Sequence, residues 1–294
     1  MRTDLWISFG VRALVPTLLV PTLLVPSKPL LAIAQQDVVI VRSDRTPVRV
    51  KAYRPWPARC RGAAVVSPGA GGSEQGYAYL GQGLSELGWL TVVVGHNERD
   101  RQAIRGSWQG GRLSEALARL IADPGAQASR LADLAAARRW AQQHCGASNS
   151  VLLGHSMGAA AAMIEAGARN NLGIRGTTAF SAYVALSPQG SGSIFPANAW
   201  SDLRRPFLVL TGTRDAGLGG ASWRTRLEPF GSMPPGCKWL AVIDGASHLH
   251  FAGRGNSLRV QRLTLATITG FLESVERGDC RPTRRDPAVR LQVK

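Results

Sequence analysis

Short apolar runs alternate with longer segments of helical periodicity along most of this chain. Seven runs of four to six residues are apolar at nearly consecutive positions, as in strands buried on both faces of a sheet. The segments between them repeat their apolar residues every three to four positions, as amphipathic helices do. The predicted strands are 37–42, 63–67, 90–95, 151–154, 183–187, 207–212 and 239–244, and the predicted helices are 75–87, 113–121, 131–143, 157–168, 223–230 and 258–275.

This alternation predicts an α/β fold in which a mostly parallel sheet is flanked by helices. No long linker or change of composition divides residues 35–280, so we expect one catalytic domain there, followed by a basic, solvated and partly disordered tail at 281–294. About twenty residues separate the fifth and sixth predicted strands. That length is too short for a helical cap domain, so we expect an open site.

The first 34 residues have the features of a secretory signal. Two arginines near the start precede an apolar stretch from Leu14 to Leu31, and Ala32-Ile33-Ala34 has the A-x-A spacing that a signal peptidase requires. The alternative is a membrane anchor, but four prolines interrupt the stretch too often for a spanning helix. We therefore expect cleavage before Gln35, a secreted or periplasmic protein, and no stable membrane span after cleavage.

Composition supports a folded, exported protein. Of 294 residues, 45% are hydrophobic and 18% are charged, which is sufficient for one large core and excludes global disorder. Four cysteines in an oxidising compartment predict two disulfides, for which three connectivities are possible. There is no C-x-x-C pair and no Cys/His cluster at metal spacing, so we expect no metal site.

The chain is strongly basic, with a formal net charge of +16. Residues 1–34 carry three basic residues and one acidic residue, so their removal leaves +14. A field of this size attracts polyanions. The arginines are nevertheless scattered over the whole length, without a basic run interleaved with aromatic residues, and we expect no specific nucleic-acid partner.

The first candidate for catalytic chemistry is the pentapeptide Gly154-His155-Ser156-Met157-Gly158, which fits the motif G-x-S-x-G. An apolar predicted strand precedes it and a small-residue predicted helix follows it, which is the context in which this motif forms a tight turn with an exposed serine. The glycines would be needed where side chains would collide with neighbouring backbone. Alone, the motif is a weak signal in a chain with 33 glycines.

A serine hydroxyl needs a general base, and the base needs a third group to orient it. His248, in the loop after the last predicted strand, fits the base. Its rival is His250; in an extended loop the two side chains would point in opposite directions, so only one could face Ser156. The other three histidines, His96, His144 and His155, are less well placed.

Asp215 follows the predicted strand FLVLTG at its carboxyl end, where its carboxylate can orient the imidazole. Two alternatives remain open. Asp202 lies before that strand rather than after it, and Asp244 is so near His248 that a turn-capping role fits it better.

Stabilisation of an oxyanion requires two backbone amides. One should come from Met157, directly after the candidate nucleophile. The second should come from the glycine-rich loop 67–73, SPGAGGS, and we select Ala70. A phosphate-binding loop is the competing interpretation, but no G-K-[ST] follows and the G-x-G-x-x-G spacing is missing.

Together, the segments SPGAGG, GHSMG, TGTRD and GASH resemble the α/β-hydrolase superfamily, and within it dienelactone-hydrolase-like, platelet-activating-factor-acetylhydrolase-like and bacterial cutinase-like enzymes. The resemblance extends from about Val38 to Glu276 and includes SRLADLAAARRWAQQ, which is similar to the family's helix before the nucleophile strand. The order Ser156, Asp215, His248 is that of α/β hydrolases. The resemblance implies that fold, without a large cap domain.

The resemblance also implies a disulfide pairing. In that fold the strands after Cys60 and Cys145 are neighbours, so both cysteines fall at the amino-terminal edge of the sheet, within bridging range. Cys237 precedes the last predicted strand at this edge, and Cys280 follows the final helix, which returns to it. The expected bridges are Cys60–Cys145 and Cys237–Cys280.

We therefore expect an exported serine hydrolase that cleaves a carboxylic ester through an acyl-enzyme, without metal or organic cofactor. The expected substrate is a small-molecule or lipid-like ester. A peptidase or acyltransferase with the same triad is one alternative, and an inactive scaffold that binds polyanions is another. The sequence does not predict the oligomeric state.

Overall fold

The computed structural model describes residues 34–55, 59–96, 113–217, 220–255 and 257–294. The predicted signal, apart from Ala34, lies outside these residues. The strands are β1 Ala34–Val41, β2 Pro47–Arg54, β3 Gly62–Ser67, β4 Trp89–Gly95, β5 Ser150–His155, β6 Ala182–Leu186, β7 Phe207–Arg214, β8 Lys238–Ser247 and β9 Val289–Val293. The helices are α1 Ala78–Glu86, α2 Leu113–Ile121, α3 Pro124–Cys145, α4 Met157–Glu165, α5 Glu228–Ser232, α6 His248–Phe251 and α7 Leu258–Arg277, with a 3-10 helix at Trp223–Leu227.

The strands form a sheet in the order β1-β2-β4-β3-β5-β6-β7-β8-β9. Pairing is parallel from β4 to β8, and antiparallel where β1, β2 and β9 are added at the two edges. Every residue of β3, β4, β5 and β6 is buried, which explains their uninterrupted apolar sequences. The predicted α/β fold with a mostly parallel sheet is confirmed.

Two strands, β2 and β9, were not predicted from the apolar runs. In β2 the buried residues Val48 and Val50 alternate with Arg49 and Lys51, so no continuous apolar run marks the strand. Residues 289–293 form β9 against β8, so the expected disorder does not extend to them, although three of the five are exposed. There too, partly buried and exposed residues alternate, as in a strand at the edge of a sheet.

Helices cover both faces of the sheet. The helices α3 and α4 contribute to one apolar cluster, and α1 and α7 contribute to the cluster on the opposite face. The alanines that open α4, residues 159–162, are completely buried and allow this helix to lie close to the sheet. This packing fixes the position of the β5–α4 turn.

Both predicted disulfides are present. Cys60–Cys145 has a Cα–Cα distance of 5.4 Å, and Cys237–Cys280 has one of 5.2 Å. The parallel pairing of β3 with β5 brings the first pair together.

The connection between β6 and β7, residues 187–206, contains neither helix nor strand. The expectation that no large cap domain is inserted there is confirmed. In the part of the chain that the structure describes, no helix has the length and apolarity needed to cross a bilayer.

Candidate active site

Ser156 occupies the strained turn between β5 and α4. Its φ is 54° and its ψ is −118°, a backbone conformation that few non-glycine residues adopt. A Cβ at Gly154 would lie 2.0 Å from the carbonyl oxygen of Gly158, and a Cβ at Gly158 would lie 2.1 Å from that of Ser67. Glycine is therefore required on both sides of Ser156, for the reason that the motif suggested.

Asp215 and His248 form the hydrogen-bonded pair expected from the sequence. Nδ1 of His248 lies 3.0 Å from Oδ1 of Asp215, and the hydroxyl of Thr211 donates to Oδ2 at 2.8 Å. The Asp215 side chain is fully buried, whereas 32% of the His248 side chain is exposed. Burial alone would raise the pKa of Asp215, but the hydrogen bond with His248 and the nearby Arg226 guanidinium outweigh it and hold this pKa below its usual value. Asp215 is therefore an ionised carboxylate that accepts a hydrogen bond from Nδ1–H of His248.

The rival residues are engaged elsewhere. Residues 248–251 form helix α6, so the expected extended loop is wrong; Nδ1 of His250 accepts a hydrogen bond from the amide of Ser247 at 3.2 Å and caps this helix. Asp202 and Asp244 are exposed, the former paired with an arginine and the latter with a threonine hydroxyl. The geometry favours His248 and Asp215.

A chain of hydrogen bonds through His155 joins the loop 67–73, the candidate oxyanion loop, to the backbone of His248, the candidate base. The amide of Gly69 donates to the Tyr77 hydroxyl at 3.0 Å, that hydroxyl donates to Nδ1 of His155 at 2.8 Å, and Nε2 of His155 donates to the carbonyl oxygen of His248 at 3.1 Å. Burial, and then the charge of His248, lower the pKa of His155 to about 3, so its ring is neutral and has one donor and one acceptor. In the sequence, only the position of His155 inside the G-x-S-x-G motif points to this role.

A second Ser–His–Asp array supports the strand that leads into the oxyanion loop. The Ser67 hydroxyl lies 2.8 Å from Nε2 of His96, and Nδ1 of His96 lies 2.9 Å from Oδ2 of Asp133. Nε of Arg42 donates to the other oxygen of Asp133 at 2.7 Å. Ser67, His96 and Asp133 are all buried. The array therefore has the hydrogen bonds and the burial of a structural brace for β3.

The oxyanion loop itself lies against the nucleophile. A Cβ at Gly69 would be 3.2 Å from Cβ of Ser156, and a buried arginine, Arg130, donates to the carbonyl oxygen of Pro68 at 2.7 Å. Ala70 follows directly, half-buried at the cavity wall. Met157 follows Ser156 as the first residue of α4. Both predicted amides therefore belong to residues adjacent to this contact.

Ser156 and His248 share one cavity of about 1020 Å³. The loop 188–194 forms one wall, and residues of α1 and α6 form others. Within the described ranges, the Ser156 hydroxyl makes no hydrogen bond. The hydrogen bond between a nucleophile and its general base often forms only when substrate binds. No group of three or more His, Cys, Asp or Glu side chains that could hold a metal ion occurs among the residues described.

No protein-family model matches the chain, and no curated protein matches it. Solved structures do. A dienelactone hydrolase from Anabaena variabilis is similar over 79% of this chain and 95% of its own, with 19% identity and a TM-score of 0.57. An esterase from Pyrococcus furiosus is similar over 82% and 92%, with 13% identity and a TM-score of 0.56. A serine hydrolase without a lid from Xanthomonas campestris is similar over 85% and 97%, with 17% identity and a TM-score of 0.53. The chain has the α/β-hydrolase fold that its resemblance to dienelactone-hydrolase-like enzymes implied.

Proposed function

We propose that this protein is an exported serine hydrolase that cleaves carboxylic esters through an acyl-enzyme. The observation that carries the proposal is the hydrogen-bonded pair of Asp215 and His248, at 3.0 Å, in the same cavity as the strained Ser156. The dienelactone hydrolase and esterase among the similar structures support the same class of reaction.

In the first half of the reaction, Oγ of Ser156 attacks the ester carbonyl carbon while Nε2 of His248 takes the hydroxyl proton. Asp215 accepts the Nδ1 hydrogen bond and stabilises the imidazolium that forms. The backbone amides of Ala70 and Met157 bind the oxyanion of the tetrahedral intermediate, a contribution of about 3 to 4 kcal/mol for each donor. The intermediate collapses as the carbon–oxygen bond breaks, and His248 returns the proton to the leaving alcohol.

In the second half, a water molecule attacks the acyl-enzyme and gives a proton to His248. The second tetrahedral intermediate collapses, the carboxylic acid leaves, and Ser156 regains its proton. None of these steps requires a metal or an organic cofactor.

The cavity volume of about 1020 Å³ and the absence of a cap between β6 and β7 suit a small-molecule or lipid-like ester. The two disulfides are compatible with a secreted or periplasmic location, because such bonds persist in oxidising compartments. The signal-like residues 1–34 support export as well.

The test is turnover of a panel of esters of graded acyl length, with matching anilides, by the mature chain. We expect ester hydrolysis to fall by several orders of magnitude in Ser156→Ala, while Ser193→Ala, an exposed serine that lines the same cavity, retains it. Faster cleavage of the anilides would favour a peptidase. Equal ester turnover by Ser156→Ala and the wild type would contradict the proposal.

A further inference from the structure

A buried arginine touches the catalytic pair. Arg226, in the 3-10 helix after β7, is only 6% exposed. Its Nε lies 3.1 Å from Oδ1 of Asp215, the same oxygen that His248 contacts. Its Nη2 lies 3.3 Å from Nδ1 of His248. The guanidinium is therefore in contact with both members of the pair.

The same side chain holds the backbone around the pair. Nη1 donates to the carbonyl oxygens of Ser187 and Pro188, both at 2.8 Å, Nε donates to that of Asp215 at 2.8 Å, and Nη2 donates to that of Ala216 at 3.1 Å. These residues follow β6 and β7. One guanidinium thus joins the carboxyl ends of two adjacent strands at the cavity wall, and it satisfies carbonyl groups that would otherwise be buried without a partner.

Nδ1 of His248 consequently faces two groups with opposite demands. Asp215 only accepts, so it favours the tautomer with a proton on Nδ1 and a bare Nε2, which can act as a base toward Ser156. Arg226 only donates, and its distance to Nδ1 is longer, 3.3 Å against 3.0 Å. The carboxylate therefore sets the tautomer, and the guanidinium acts on the ring through its charge.

The remaining groups that face the His248 ring are few among the described residues. His155 of β5 lies with its ring centroid 4.7 Å away and is neutral. His250 of the same helix caps Ser247, and Arg254 lines the cavity beyond α6. Among these groups, Arg226 is therefore the one that contacts both the Asp215 carboxylate and Nδ1 of His248.

We propose that Arg226 is a positioning residue of the triad, which fixes Asp215 to the ends of β6 and β7 and holds its carboxylate against Nδ1 of His248. This inference rests on the proposed function for its kinetic consequence. Its effect on the hydrogen bond between Asp215 and His248 can be measured without a substrate.

The kinetic test is the split between kcat and KM for 4-nitrophenyl acetate. In Arg226→Gln and Arg226→Met, we expect kcat to fall at least about tenfold while KM stays within about twofold, because Asp215 is no longer held against His248. Arg226→Lys keeps the charge and loses the planar fork, so it should recover only part of kcat. Arg224→Met, an exposed arginine of the same 3-10 helix, should leave both constants unchanged.

The second readout is solvent exchange of the His248 Nδ1 proton, measured by NMR in the same variants, each first shown to be folded by its thermal unfolding. We expect faster exchange in the neutral variants, because the carboxylate that accepts the hydrogen bond from Nδ1 is no longer held. A kcat and an exchange rate that both stay at the wild-type values in a folded neutral variant would overturn the inference and reduce Arg226 to a structural brace. If neither neutral variant folds, a wild-type exchange rate in Arg226→Lys overturns it, and faster exchange supports it. Absence of ester turnover by the wild type would contradict the proposed function alone, since the exchange measurement still decides the role of Arg226.

Discussion

At the scale of single residues, the hydrogen bonds of the candidate site determine which ring nitrogen of His155 and of His248 carries the proton. His248 donates from Nδ1 to Asp215, which leaves Nε2 free to take a proton. The neutral His155 ring accepts a hydrogen bond from the Tyr77 hydroxyl at Nδ1 and donates one from Nε2 to the backbone carbonyl of His248. The two rings are neighbours, and only the more exposed one is placed for catalysis.

The buried neutral His155 makes the stability of the fold pH-dependent. Its pKa is about 3 in the folded protein, against 6.5 for an unperturbed histidine. The unfolded chain therefore takes up a proton as the pH falls below 6.5, and the folded protein does not. This part of the free energy of unfolding is complete above pH 6.5 and is lost toward pH 3, at up to about 1.4 kcal/mol per pH unit.

We predict that His155→Gln, whose amide can still donate to the His248 carbonyl, flattens this dependence. The fall in the free energy of unfolding between pH 6.5 and pH 5 should be smaller than in the wild type by about 2 kcal/mol, as measured by urea denaturation. The exposed His144→Gln serves as the control and should follow the wild type. An equally steep fall in His155→Gln would show that the ring is protonated in the folded state.

The three candidate catalytic residues could be selected from the sequence because each follows a predicted strand and because the chain has only five histidines. Ser156 and Asp215 lie at the ends of buried strands, and His248 follows the last parallel one. Tyr77, His155 and Arg226 could not, because each acquires its role only through contacts made across the fold. Nothing local distinguishes Arg226 from Arg224, two residues earlier.

At the scale of elements, helix α3 supports the candidate oxyanion loop through a chain of hydrogen bonds to its first residue, Ser67. Asp133 of this helix joins His96 after β4 and, through it, Ser67 at the end of β3. The carboxylate is 1% exposed and also pairs with Arg42. The segment SRLADL resembles the family's helix before the nucleophile strand. Its aspartate, Asp133, is the residue that binds His96 and Arg42.

We predict that Asp133→Asn destabilises the protein by about 3 to 5 kcal/mol, because it removes the buried carboxylate that pairs with Arg42 and His96 and leaves Arg42 with the exposed Asp44, 3.7 Å away. The matched control is Asp44→Asn. Asp44 lies 3.7 Å from the same Arg42, but 58% of its side chain is exposed, so its loss should cost under about 1 kcal/mol. Urea unfolding of the three proteins measures both values. Equal losses in the two variants would contradict the support that we assign to α3.

Strands were predicted well where the sequence has an apolar run and poorly where apolar and basic residues alternate. The strands β1 and β3 to β8 have such runs, but β1 is an edge strand and mostly exposed, so its expected burial on both faces is wrong. The strands β2 and β9 mix apolar with basic residues. The short helix α6 was missed because four residues carry too little periodicity to be recognised. Its formation nevertheless decides which of His248 and His250 faces the cavity.

At the scale of the whole molecule, both disulfides lie near the amino-terminal ends of the parallel strands, and the candidate active site lies at their carboxyl ends. Cys60–Cys145 closes a sequence separation of 85 residues, and Cys237–Cys280 closes one of 43. Both bridges precede the strands whose carboxyl ends carry the chemistry. None of these cysteines lines the candidate active-site cavity.

We predict that replacing either pair by alanine lowers the free energy of unfolding by about 2 to 4 kcal/mol, with little effect on ester turnover at room temperature. Thermal unfolding and the ester assay measure the two effects, and non-reducing peptide mapping of the exported protein verifies the pairing. Free thiols in exported protein, or loss of turnover in a variant that is still folded, would contradict this account.

Labelling of the folded protein by a fluorophosphonate, followed by peptide mapping, tests most directly whether Ser156 is a nucleophile activated by His248. We expect one adduct, on Ser156, with labelling at least about a thousandfold slower in His248→Ala and unchanged in Ser193→Ala. The absence of an adduct on the folded wild-type protein, or an adduct on a serine other than Ser156, would contradict this role of Ser156.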